Sequence, residues 1–121
     1  MSRHMLLLPA PEAEWALLPP EEHEKGMRSH EQFHRDLAAG GHRVAVAGPL
    51  TPSAQAVSMR PDGSGGVLVT DGPFAEVTEQ VGGFYQVETD DLDDLVDCCQ
   101  IIAAVGDGIE VRRTVSAQDR A

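Results

Sequence analysis

The sequence predicts an α+β fold, a ferredoxin-like sandwich with two helices on one face of an antiparallel sheet, and three observations carry that expectation. Short apolar runs and longer helix-period runs follow one another in the order β-α-β, hairpin, β-α-β. Proline and glycine clusters mark the boundaries between them. At 121 residues the chain is long enough for one core and too short for two, so residues 1–121 form a single domain with a core from about 3 to 113.

The elements follow in order. Arg3 to Leu8 is a short apolar run stopped by Pro9 and Pro11, a buried first strand. A helix lies within Leu18 to Gly41: a proline suits its start, Glu21 and Glu22 sit where the helix dipole favours acids, and Gly40-Gly41 marks the stop. Gly26 weakens this helix without forbidding it. At about 100° per residue, His23, Met27, His30, His34 and Leu37 share the stripe expected to face the sheet. His42 to Leu50 supplies the second strand. Ala54 to Arg60 and Gly66 to Thr70 form a hairpin around Pro61-Asp62-Gly63-Ser64-Gly65. In the strand Gly82 to Thr89, Tyr85 and Val87 face one way and Phe84, Gln86 and Glu88 the other, and Gly82-Gly83 marks a bulge or a close backbone approach. Asp90 to Gly106 is the second helix, capped by Asp90 or Asp91, with Leu92, Leu95, Val96, Cys99 and Ala103 on one face. The last strand lies in Gly108 to Val115, and residues 114–121 are expected to form a flexible tail. Two helices leave the opposite face of the sheet uncovered, and a homodimer formed sheet to sheet is the economical way to bury it.

Charge and composition exclude several function classes. A net charge of −11 repels phosphate backbones and anionic lipid, so neither nucleic acid nor membrane is an expected partner. Cys98 and Cys99 are adjacent, which permits neither a loop-closing disulfide nor a Cys-x-x-Cys site and suits a reducing cytoplasm. The run Met5 to Ala10 is too short for a signal peptide, so the expected location is cytoplasmic. No glycine-rich phosphate loop joins a strand to a helix, so no cofactor is expected.

Three features are candidates for chemistry. His30-Glu31-x-x-His34 satisfies a zinc-protease pattern and places two histidines on one helical face. The extended pattern fails, because Leu37 stands where its glycine belongs and Gly40 where its third ligand belongs, so no metal site is expected. His30 itself, on the stripe facing the sheet, is either a satisfied core or rim histidine or a general acid/base. Asp71-Gly72-Pro73-Phe74 opens the third. Asp71 either caps its own turn by bonding a backbone N–H two residues on, or stands at a strand end near His30 and holds one imidazole tautomer. In the second reading Phe74 walls a pocket that Gly72, Pro73, His34 and Glu76 complete.

The segment Val69 to Cys99, with its Asp71-Gly72-Pro73-Phe74-Ala75-Glu76 string, resembles the DGPF branch of the YCII-related proteins. The resemblance extends upstream through Glu12-x-x-Trp15-x-x-Leu18-x-Pro20-Glu21-Glu22 and downstream to Ile109-Glu110-Val111-Arg112-Arg113. It implies a dimeric α+β barrel and a His and Asp pair in a pocket. His30, followed by Gly41 and by Ala47-Gly48-Pro49, is the position to which the family's pocket histidine carries over. The family is similar to muconolactone isomerases, which implies isomerase or lyase chemistry on a small molecule. Other members of the branch accompany sigma factors, which implies a non-catalytic module with a regulatory protein partner. Both readings stand at this stage.

Overall fold

The computed structural model describes residues 1–73, 80–106, 108–117 and 119. Its elements are β1 (Ser2–Ala10), α1 (Glu12–Trp15), α2 (Pro20–Ala39), β2 (Arg43–Pro49), a 3-10 turn (Ser53–Gln55), β3 (Val57–Pro61), β4 (Val67–Asp71), β5 (Gln80–Thr89), α3 (Leu92–Val105) and β6 (Glu110–Arg113). Four strands form one antiparallel sheet in the order β2-β5-β1-β6, and β3-β4 is a separate hairpin between β2 and β5. With the hairpin set aside, this is the ferredoxin-like arrangement: each helix links two strands that are not neighbours in the sheet.

Period-2 alternation places the core. Leu6 and Leu8 of β1 and Tyr85 and Val87 of β5 turn to the helical face, where they pack with Phe33 and Leu37 of α2 and with Leu95, Cys99 and Ile102 of α3. The register couples them: Leu6 stands opposite Tyr85 and His4 opposite Val87. Near the end of β1 the pairing passes from Leu8↔Gly83 to Pro9↔Val81, so Gly82 is the extra residue of a bulge. A Cβ on Gly82 would collide with the Cβ of Ala10, which is why glycine stands there.

Local signals account for the ends. Pro20 occupies the first turn of α2, where its missing N–H costs nothing. Asp91 caps α3 by accepting from the Asp94 N–H at 3.1 Å. The hairpin turn is held by Asp62, whose carboxylate accepts from Ser64 N–H, Ser64 Oγ–H and Gly66 N–H at 2.8 to 3.0 Å. Gly63 and Gly65 there have positive φ.

A second polar cluster ties α2, β5 and α3 together. His42 is buried, with Nε2 at 2.7 Å from Asp94 Oδ2 and Nδ1 at 2.7 Å from Thr89 Oγ1. A carboxylate only accepts, so Nε2 carries the proton; in the neutral ring Nδ1 then accepts from the Thr89 hydroxyl, whose oxygen takes the Asp91 N–H at 2.9 Å. Gly40 makes room for the clasp, since a Cβ there would lie 2.5 Å from Asp94 Oδ2.

Several expectations need correction. The buried residues of α2 are Phe33 and Leu37, with Gly26 and His30 half-buried on the same stripe, while His23, Met27 and His34 are exposed. Counting histidines as sheet-facing rotated the stripe and passed over Phe33. On α3 Leu95, Cys99 and Ile102 are buried, whereas Leu92, Val96 and Ala103 are exposed, because the acid-rich first turn holds Leu92 at the rim. In the tail Asp119 accepts from Arg113 Nη1 at 2.8 Å and from Ser116 N–H at 2.8 Å, which holds its carboxyl down to about 2. Among the described residues, no helix is long and apolar enough to cross a membrane.

Urea unfolding tests this core. Leu37→Ala is expected to cost about 2–5 kcal/mol by leaving a cavity, Gly82→Ala about 1–3 kcal/mol by overpacking against β1, and Val96→Ala no more than about 0.5 kcal/mol.

Candidate functional site

Where β5 meets the middle of α2 the core turns polar. Tyr85 faces inward by strand parity and packs edge-on against Phe33, ring centroids 5.1 Å apart. Its hydroxyl lies 2.6 Å from Nδ1 of His30, and the two rings are near-parallel, 4° apart in plane. His34, one helical turn on, brings its ring to 5.3 Å from Tyr85. His30 Nε2 has no hydrogen-bond partner among the described residues.

These groups stand on a cavity of about 580 Å³. Its walls are Leu8 of β1, Trp15 of α1, Met27 and Glu31 of α2, Ala47–Pro49 of β2 and Gly82 and Gly83 of β5. Paired backbones that lack side chains make its floor: a Cβ on Gly83 would stand 3.3 Å from the carbonyl oxygen of Gly48. The lining is mostly apolar with a few converging polar groups, the usual composition of a small-molecule site.

Burial sets the protonation states. It pushes the His30 imidazole below its ordinary value, with His34 adding to the effect, and it pushes the Tyr85 phenol up. At neutral pH both are uncharged, so a single proton is shared along the 2.6 Å contact. When Nδ1–H donates to the phenol oxygen, Nε2 is a base; when the phenol donates, Nε2–H is a donor.

The residues expected from sequence are placed as follows. His30 and His34 line the cavity. Asp71 does not: it is exposed at the end of β4, opposite Val57 in the hairpin, and the residue that meets His30 is Tyr85. Nor does Asp71 have an N–H to cap two residues on, because Pro73 stands there. The turn is closed instead by Gly72 N–H to the Ala56 carbonyl at 2.7 Å and by Ser58 Oγ–H to the Gly72 carbonyl at 2.6 Å. Gly72 is required by its φ of 104°. Pro73 is half-buried beside it and lines neither this cavity nor its neighbour. Phe74 and Glu76 lie outside the described residues. Tyr85 was missed as a site residue, though a tyrosine with the inward parity of Val87 announces a buried hydroxyl that needs a partner from the helix above.

Metal ligation fares differently from the motif. Among the described residues His30, Glu31 and His34 are not gathered as a ligand set; His42, Asp94 and Cys98 are, their ligand atoms lying within 4.8 Å of one another. That trio is already hydrogen-bonded within itself. Burial, then Asp94 and Asp36, push the Cys98 thiol up and so oppose thiolate formation. Burial also pushes the Cys99 thiol up to about 11.

A family model described as the YCII-related domain matches residues 2–117. An uncharacterized protein, R00369, of Rhizobium meliloti (strain 1021) is 38% identical over 77 residues, a match covering 64% of this chain and 60% of the relative. The matched region thus spans less than two thirds of that protein's length.

The depressed histidines define a pH window. His4, lowered by burial and by Arg113, behaves as His30 does. Below the unfolded value of 6.5 the unfolded chain binds protons that the folded chain refuses, so their contribution to stability is complete above that value and is lost as pH falls through the lower folded values. Urea midpoints should therefore fall between about pH 7 and about pH 5. His30→Gln should make that fall shallower, and NMR titration of the His30 ring should give a midpoint below 6.5; a midpoint above it contradicts the burial assigned here.

Proposed function

The chain belongs to the YCII-related family, and on that premise we propose that it binds a small, uncharged, largely apolar molecule beneath α2 and moves a proton on it, in an isomerisation or elimination. The observation that carries this reading is the 2.6 Å contact between His30 Nδ1 and the Tyr85 hydroxyl at the wall of an apolar cavity. His30 is the acid/base through Nε2, and Tyr85 is the positioning residue that holds the ring through Nδ1 in either tautomer. A lowered imidazole pKa keeps the base form populated at neutral pH. The strongly acidic chain and Glu31 at the wall favour a neutral ligand over an anion.

Solvent-deuterium incorporation next to the carbonyl of cyclic enones and unsaturated lactones, followed by NMR, tests the chemistry. Wild type should exchange; His30→Ala should slow exchange by about 10²–10⁴-fold, and Tyr85→Phe should shift its pH profile. Exchange that survives His30→Ala overturns the assignment. If Asp71→Asn slows it as much as Tyr85→Phe does, an Asp71 supplied by a second copy takes over the orienting role.

We also propose that two copies pair through the open face of the sheet to form an α+β barrel. Met5, Leu7 and Phe84 lie on that face, and the hairpin presents Val57, Met59, Val67 and Val69 on one side, each more than half exposed. One face used by both copies gives a closed two-fold assembly. Light scattering behind a sizing column should give twice the chain mass for wild type and the single mass for Leu7→Asp. A wild-type monomer at tens of micromolar removes the pairing and favours the alternative, in which the hairpin receives a regulatory protein.

A further inference from the structure

Gly26 stands inside the 20-residue helix α2, where glycine is the poorest choice after proline. Its backbone does not call for glycine, since its φ is not among the positive ones. Packing does not call for it either: a Cβ built there meets nothing within 4 Å. The residue sits on the inward stripe with His30, Phe33 and Leu37, so the missing side chain leaves a space beside the site rather than in solvent. That space is a second cavity of about 220 Å³, walled by Trp15, Leu18, Ile102 and Val105, with Glu22 and His23 also lining it. Leu8, Trp15 and His30 line both cavities.

We propose that the ligand site is two-lobed with His30 at its waist, and that Gly26 is the residue that sets how long an apolar limb the second lobe accepts. The ligand class is a neutral molecule carrying a hydroxyl or carbonyl for His30 and Tyr85 in the larger cavity and an unbranched apolar limb that runs past His30 beneath Gly26. The inference rests on the small-molecule reading of the His30 cavity. It adds a specificity: the second lobe rewards length in the limb, and a side chain at position 26 cancels that reward.

Calorimetry with a series from 4-methylphenol to 4-butylphenol separates the two. Each methylene buried in the lobe should tighten Kd about fourfold, giving roughly sixtyfold across the series for wild type. Gly26→Ala should trim that gain and Gly26→Leu abolish it, while both variants melt higher than wild type, the Ala variant by about 4 °C, because each is a better helix former than glycine. Val105→Trp fills the same lobe from α3 and should also flatten the series. If 4-methylphenol does not bind, the reading of the His30 cavity fails and this inference with it. If 4-methylphenol binds but chain length brings no gain, or the gain survives Gly26→Leu, the lobe alone is refuted.

Discussion

A buried phenol must find a hydrogen-bond partner, and much of this molecule follows from how Tyr85 finds its own. Its ring fills the core against Phe33, which fixes the height of α2 over β5. Its hydroxyl cannot be left unpaired there without a penalty of about 1–3 kcal/mol. His30, one turn before Phe33 on the same stripe, is what the helix offers. Packing and site are therefore one interaction: the contact that seats the helix on the sheet also brings an imidazole to the wall of a cavity.

Glycine placement decides where that cavity opens. Gly82 permits the bulge that brings Ala10 close, and Gly83 faces the Gly48 carbonyl with no side chain between. A sheet with ordinary residues at these positions would send side chains up into the space that α2 leaves. At Gly40 the same absence serves the opposite purpose, admitting the Asp94 carboxylate so that His42 can close the other end of the layer. One end of the helix–sheet interface is thus clasped by polar groups and the other held open.

The order of elements was legible because proline or glycine punctuates most boundaries and an aspartate cap marks the start of α3, and the two-residue alternation in β5 correctly sent Tyr85 and Val87 to one face. The short helix Glu12–Trp15 was not, since a four-residue segment between prolines carries no periodicity. The rotation of α2 was misjudged for a physical reason: histidine reads as polar or apolar depending on its partner, and that partner, Tyr85, is 55 residues away. The turn at Asp71 drew attention by its composition, yet Asp71 ends a hairpin strand and, among the described residues, neither it nor Gly72 or Pro73 lines the His30 cavity. The sequence put His30 on the sheet-facing stripe, but its contact with Tyr85 was not legible, because strand register and helix rotation must both be known before the pair can be seen.

Three inward-facing histidines show why geometry, rather than burial, singles out one of them. His42 spends both ring nitrogens within its clasp, so it has nothing left with which to move a proton. His4 has the reverse condition: its Nδ1 is buried without a partner, and burial and Arg113 both disfavour its charged form, but it lines neither cavity. His30 alone among the three combines one committed nitrogen, one nitrogen without a partner among the described residues and a position on the wall of a cavity. A change of tautomer at His30 reverses the direction of its hydrogen bond to Tyr85. The rest of the helix–sheet contact, Phe33 and Leu37 against Leu6 and Val87, is apolar, so the His30–Tyr85 pair is a polar contact held within apolar packing at the edge of the cavity.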